Sequence, residues 1–169
     1  PLSYKHGYPL RLIVPGWYAM ASVKWVRQIS VIGTSFKGPF QSNDYMYYPG
    51  LETDEGAFPV TEQNVNSTIQ SPRDMEVLGE SRHCIRGIAW TGKGIITRVE
   101  ISLDNGVSWQ DADFHPPASP YEWVSWQYVW KPDKSGEYSI LSKATDSMGR
   151  SQERNAFWNR KGYGYNAMD

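Results

Sequence analysis

Cysteine is almost missing from this sequence: Cys84 is the only one among 169 residues, so neither an internal disulfide nor a Cys-rich metal cluster can form. A large excess of charge of either sign is also missing, since the net charge is -1. Bulk electrostatics therefore does not favour nucleic acid or an anionic membrane as partner. No apolar run approaches the ~20 residues of a transmembrane helix. A Gly-rich P-loop, a Gly-x-Ser-x-Gly motif and a kinase signature are absent as well.

Aromatic residues are abundant instead, with 8 Trp and 11 Tyr, and 40% of the chain is hydrophobic, which is typical of a globular protein. From about residue 67, short candidate strands follow one another between turn signals. Asp104-Asn105-Gly106 is a strong hairpin signal. About seven short strands in roughly a hundred residues predict a mainly β fold, an immunoglobulin-like β-sandwich, although the Cys…Trp…Cys pattern of antibody domains is absent.

The first part of the chain has a different character. Residues 10–14 and 22–32 are expected to form strands because apolar and β-branched residues recur in them. Residues 33–66 lack periodicity and are rich in Gly and Pro, as in a functional loop or a connection between domains. The sequence therefore predicts one region over residues 1–66 and a sandwich domain over residues 67–169.

Cations at both ends of the chain are candidates for an anion site. The first candidates, around the first predicted strand, are His6, Arg11 and Lys24. Arg and Lys are the usual hydrogen-bond donors to a phosphate group. Arg160 and Lys161 lie between aromatics and glycines near the C-terminus. In both places the alternative is a solvated charge on an amphipathic segment. Spacing alone favours that alternative around the first strand, and composition does not decide between the two near the C-terminus. Cys84 and the histidines lack ligand-spaced partners, so no residue of this chain is predicted to bind a metal.

Several ordered motifs resemble the sulfite oxidase family. His6-Gly7-Tyr8-Pro9-Leu10-Arg11 with Val23-Lys24-Trp25-Val26 resembles the last part of its molybdopterin-binding domain. The family's C-terminal dimerisation domain is similar to Ser71-Pro72-Arg73, Gly87-Ile88-Ala89-Trp90-Thr91-Gly92, Arg98–Trp109 and Lys143-Ala144-Thr145-Asp146. The resemblance implies an immunoglobulin-like sandwich preceded by the terminal segment of an α/β cofactor domain.

The resemblance also implies site residues. His6, Arg11, Ser22, Val23 and Lys24 would contact a molybdenum–molybdopterin cofactor. Tyr45, in an Asp-Tyr pair, would be the active-site tyrosine. The family's substrate-binding arginine lies in a Trp-Asn-x-Arg-Gly motif, which is Trp158-Asn159-Arg160-Lys161-Gly162 here, so that Lys161 occupies the position of the arginine and Arg160 precedes it. Lysine keeps the charge but not the bidentate fork, which leaves the anion contact open between the two.

A further departure concerns the metal. The family's molybdenum-ligating cysteine lies upstream of the His-Gly motif and has no counterpart in these residues. We therefore expect the chain to be a C-terminal piece of an enzyme, or one chain of a split enzyme, that is inactive without the rest of the cofactor domain.

The function that the resemblance implies is oxidation of a sulfur oxyanion such as sulfite, with a cytochrome c or haem domain as electron acceptor, a homodimeric assembly and a periplasmic location. The alternative is a non-catalytic β-sandwich module for interaction or dimerisation. A sugar-binding sandwich is suggested only by the many Trp and Tyr residues.

Overall fold

A computed structural model describes all residues 1–169, and the chain divides into two compact units. The first unit comprises residues 1–63 together with 157–165, and the second comprises residues 64–156 together with 166–169. The predicted boundary after residue 66 lies close to this division. The C-terminal segment 157–165 differs from the prediction, because it packs with the first unit instead of the sandwich.

The first unit is built from short elements. Tyr4–His6 and Ala19–Ala21 are single 3₁₀ turns, and Phe40–Asp44 is one π-helical turn. Two short strands, β1 (Met46–Tyr47) and β2 (Phe58–Pro59), pair antiparallel. No helix in the structure is long and apolar enough to span a membrane.

The strands predicted at 10–14 and 22–32 do not form regular β-structure. The two segments share only two backbone hydrogen bonds, Leu12 N to Val23 O (2.9 Å) and Val26 N to Leu10 O (3.0 Å). The physical reason is the backbone of Trp25, whose φ of 53° interrupts an extended conformation. Alternation of apolar residues beyond Trp25 therefore does not lead to a strand, and Val31 is fully exposed.

The second unit is a sandwich of two antiparallel sheets, which confirms the prediction of a mainly β fold. The order is β3-β4-β8-β7 in one sheet and β6-β5-β9 in the other. The strands are β3 (Asn66–Ser71), β4 (His83–Trp90), β5 (Ile96–Ser102), β6 (Gln110–Asp111), β7 (Asp113–Phe114), β8 (Val124–Trp130) and β9 (Leu141–Asp146).

The core lies between the inner faces of the two sheets. In β8 burial alternates, with Val124, Trp126 and Trp130 buried and Val129 exposed, and Trp123 just before the strand is exposed as well. The remaining core residues come from both sheets and their edges: Val65, Ile85, Ala89, Ile96, Val99, Ile101, Ala112 and Ala144. Ala112 separates β6 from β7, and these two strands belong to different sheets.

The hairpin predicted at Asp104-Asn105-Gly106 joins β5 to β6. Asn105 and Gly106 have φ of 60° and 82°, the left-handed values that Asn and Gly tolerate best. The Asp104 carboxylate accepts hydrogen bonds from the Ser108 hydroxyl (2.6 Å) and amide (2.9 Å) and from the Ser102 hydroxyl (2.7 Å). These hydrogen bonds lower the pKa of Asp104 to about 2.

Gly87 in β4 permits the largest core side chain to lie against the sheet. It pairs with Trp126 in β8, and a Cβ built on Gly87 would lie 2.2 Å from Trp126 Cζ2 and 2.3 Å from the Thr68 carbonyl oxygen. A side chain at this position would therefore collide with both the indole and the neighbouring strand.

We expect Gly87→Ala to lower the free energy of unfolding by about 1–3 kcal/mol, the usual cost of overpacking a core. Urea denaturation followed by tryptophan fluorescence measures the change. Gly79→Ala is the matched control, because no atom lies within 4 Å of a Cβ at Gly79. Equal stabilities of the two variants would contradict this account of the core.

Candidate functional site

The five residues predicted to contact a cofactor lie in one cluster. The segment around Arg11 runs beside the segment Ser22–Lys24, and the Ser22 hydroxyl accepts a hydrogen bond from Val14 N (3.2 Å). Arg11 Nε donates to Ser22 O (3.3 Å) and its Nη1 to His6 O (3.5 Å). The guanidinium thus connects the 3₁₀ turn that carries His6 with the segment that carries Ser22, Val23 and Lys24.

Close backbone packing fixes Lys24 beside the same turn. Gly7 is buried with φ of 111°, and a Cβ on it would lie 3.1 Å from both Cα and Cβ of Lys24. Lys24 Nζ donates to Lys5 O (3.1 Å). Glycine at position 7 is therefore required both by its positive φ and by the approach of Lys24.

The electrostatics of this cluster suit an anionic ligand. Residues 1–43 contain five cations, namely Lys5, Arg11, Lys24, Arg27 and Lys37, and no Asp or Glu. Such one-sided charge attracts anions, and Arg and Lys side chains are the groups that commonly bind phosphate. The donor set therefore fits the phosphate-bearing part of a molybdopterin cofactor. No group of three His, Cys, Asp or Glu side chains gathers as a metal-ligand set.

A second group of contacts involves the C-terminal segment of the first unit. Asn159 is fully buried, and its Nδ2 donates to Tyr48 O (2.8 Å). Lys161 Nζ donates to the carbonyl oxygens of Asn43 and of Asp44, the latter at 3.2 Å. The segment thereby contacts the chain on both sides of Tyr45.

Arg160 has a different partner from Lys161. Its Nη2 donates to the Asp54 carboxylate (2.6 Å) and to Thr53 O (2.9 Å), and its guanidinium carbon lies 3.8 Å from the ring centroid of Tyr48. The charge of Arg160 is thus paired with a carboxylate. The sequence predicted that one of these two cations binds a substrate anion. In the structure, Arg160 and Lys161 each contact groups of the protein itself.

Tyr45 belongs to an aromatic cluster. Its ring centroid lies 6.0 Å from those of Phe40 and Tyr163, and Tyr163 lies 6.1 Å from Tyr18. Burial raises the pKa of Tyr163 above its ordinary value, with further contributions from Tyr45, Asp44 and Tyr18. Tyr163 is therefore neutral at physiological pH and packs edge-on against Tyr45.

The structure brings His6, Arg11, Ser22, Val23 and Lys24 together, and it separately brings Lys161 to the turn before Tyr45. The sequence reading missed Asn159 and Tyr163, whose roles come from long-range packing. The sequence contains one signal that indicates the cationic cluster, because no Asp or Glu precedes Asp44.

Comparisons with known families assign most of the chain to two families. The model of the Mo-co oxidoreductase dimerisation domain matches residues 57–168, and that of the oxidoreductase molybdopterin binding domain matches residues 1–40. The second match includes all five cofactor candidates. The chain therefore belongs to the Mo-co oxidoreductase dimerisation domain family, and the resemblance seen in the sequence is confirmed.

Individual relatives are identical to the chain at about a third of the aligned positions. Mitochondrial sulfite oxidase of Macaca fascicularis is 33% identical over 99% of this chain, and an NADH nitrate reductase of Phaseolus vulgaris is 30% identical over 96% of it. The crystal structure of the sulfane dehydrogenase SoxCD from Paracoccus pantotrophus superimposes with a TM-score of 0.86 at 31% identity and covers 99% of this chain. The matches span 33%, 21% and 44% of those chains, respectively.

Proposed function

We propose that this chain is the C-terminal portion of a molybdenum-cofactor oxidoreductase that oxidises a sulfur oxyanion such as sulfite. The observation that carries the proposal is the cationic cluster of His6, Arg11 and Lys24. It lies within the residues that match a molybdopterin binding domain, and none of its three side chains forms an ion pair with a carboxylate of the chain.

In this proposal, Arg11 and Lys24 bind the anionic end of the cofactor, while His6, Ser22 and Val23 shape the surface beside it. Arg11 is already oriented by Ser22 O and His6 O, so that little of its freedom is lost on binding. The bound cofactor would supply the two-electron redox chemistry. The ligating cysteine belongs to a part of the cofactor domain outside these residues.

The substrate side of the proposed site is formed around Tyr45. Its hydroxyl would orient the anion, and Lys161, which forms no ion pair, would contribute a positive potential nearby. Oxidation of sulfite to sulfate takes one oxygen from water and releases two protons and two electrons. The electrons would pass to a cytochrome c or a haem domain, and we propose a periplasmic location for the whole enzyme.

We propose that the sandwich serves as the dimerisation domain and that it is of immunoglobulin type. The order β3-β4-β8-β7 supports this type, since it matches the A-B-E-D sheet of immunoglobulin domains when the short strand β6 is counted as an extra strand of the opposite sheet. The outer face of β4 and β8 carries a stacked pair, Trp90 and Trp123, with ring centroids 4.7 Å apart, and the exposed Val129. Apolar side chains on one sheet face favour a protein partner.

Arg11→Met should weaken cofactor retention roughly tenfold or more, because a hydrogen-bonding charge is lost. The measurement is the molybdenum content and sulfite oxidation rate of the purified complete enzyme, of which this chain is the proposed C-terminal portion, expressed with an ample supply of the cofactor. Arg11→Lys should retain part of the binding. Arg73→Met, at an exposed arginine of the second unit, is the control.

If the unmodified complete enzyme held no molybdenum under these conditions, the enzyme proposal would be wrong, and a non-catalytic dimerisation module would be the better description. Molybdenum with turnover of nitrate instead of sulfite would reject only the proposed substrate class.

Self-association is expected at micromolar concentration, and sedimentation velocity of the purified protein measures it. Val129→Glu should shift the equilibrium towards the monomer by placing a charge on the apolar face, whereas Ser125→Glu should do less because Ser125 contributes little apolar area. A wild-type protein that sediments as a monomer would contradict the proposed dimer.

A further inference from the structure

Lys161 contacts the backbone at the point where the chain enters Tyr45. Its ammonium donates to the consecutive carbonyl oxygens of Asn43 and Asp44, at the end of the π-helical turn Phe40–Asp44. An ammonium has three donors, and two of them are directed at this turn. The side chain is therefore oriented towards the backbone of the turn.

The backbone of Tyr45 is held from two other directions. Tyr45 N donates to Phe40 O (2.8 Å), and Tyr45 O accepts a hydrogen bond from Val60 N (2.9 Å). Tyr163 packs against its ring at a centroid distance of 6.0 Å. Lys161 adds the contact that fixes the two peptide groups immediately before Tyr45.

The neighbouring cation does not duplicate this contact. Arg160 binds the Asp54 carboxylate and Thr53 O, which lie after Tyr45 in the chain. Lysine suits a pair of carbonyl oxygens because it is a compact donor, whereas it lacks the fork with which arginine grips an oxyanion. The exchange of arginine for lysine at this motif position therefore agrees with the contact that the structure shows.

We propose that Lys161 is a positioning residue that fixes the turn carrying Tyr45, and that it does not bind the substrate anion. The positioning follows from contacts within this chain. Its consequence for turnover rests on the proposed function.

Amide hydrogen exchange tests the positioning without requiring activity. Lys161→Met should speed the exchange of the Tyr45 amide and its neighbours roughly threefold or more, as expected for the loss of a backbone hydrogen bond. Arg160→Met should affect residues 52–55 instead. Lys131→Met, at an exposed lysine of the second unit, should change neither segment. Exchange at residues 43–46 that is equal in Lys161→Met and Lys131→Met would overturn the proposal.

A double-mutant cycle that combines Lys161→Met with Tyr45→Phe, measured by the steady-state kinetics of the complete enzyme, separates positioning from substrate binding. If Lys161 acts through Tyr45, Lys161→Met lowers kcat with sulfite, changes KM less than twofold, and has little further effect in the Tyr45→Phe background. A large increase in KM in both backgrounds would identify Lys161 as a substrate contact and overturn the proposal. Absence of any turnover in the complete wild-type enzyme would count against the proposed function, while the exchange measurement would still decide the role of Lys161.

Discussion

The hydrogen bond from the buried Asn159 amide to Tyr48 O is the interaction on which the proposed substrate side depends. A buried amide group requires hydrogen-bond partners. The partner Tyr48 O is within reach of Asn159 because the C-terminal segment 157–165 belongs to the first unit and not to the sandwich unit. That return brings Arg160 to Asp54, Lys161 to the turn before Tyr45, and Tyr163 to the ring of Tyr45. One buried polar contact thus organises the surroundings of the tyrosine.

The cofactor side follows a different principle, which is one-sided charge. Five cations and no carboxylate precede Asp44, and Arg11 joins the turn of His6 to the segment of Lys24. Repulsion among these cations is tolerated because they are mostly solvent-exposed, where water screens it. An anionic ligand would relieve the same repulsion. The arrangement of cations therefore favours binding of an anion at some cost to the stability of the ligand-free protein.

Much of the sandwich could be predicted from the sequence, because its strands alternate and its turns carry Asn and Gly at left-handed positions, as in the Asp104 hairpin. The strand predicted at 22–32 fails because a single residue, Trp25, adopts a positive φ that alternation cannot reveal. The cofactor candidates could be found from local motifs. The partners of Lys161 could not, since its contact with Asn43 spans 118 residues. The roles of the cofactor candidates and of Lys161 in binding and catalysis remain predictions.

The central claim is most directly tested by an experimental structure of the cofactor-loaded protein with a bound sulfate or sulfite anion. We expect the side chains of Arg11 and Lys24 to lie within hydrogen-bond distance of the cofactor's phosphate. We also expect Lys161 to keep its contacts with the carbonyl oxygens of Asn43 and Asp44. A cofactor bound away from these cations, or Lys161 turned onto the anion, would contradict the account.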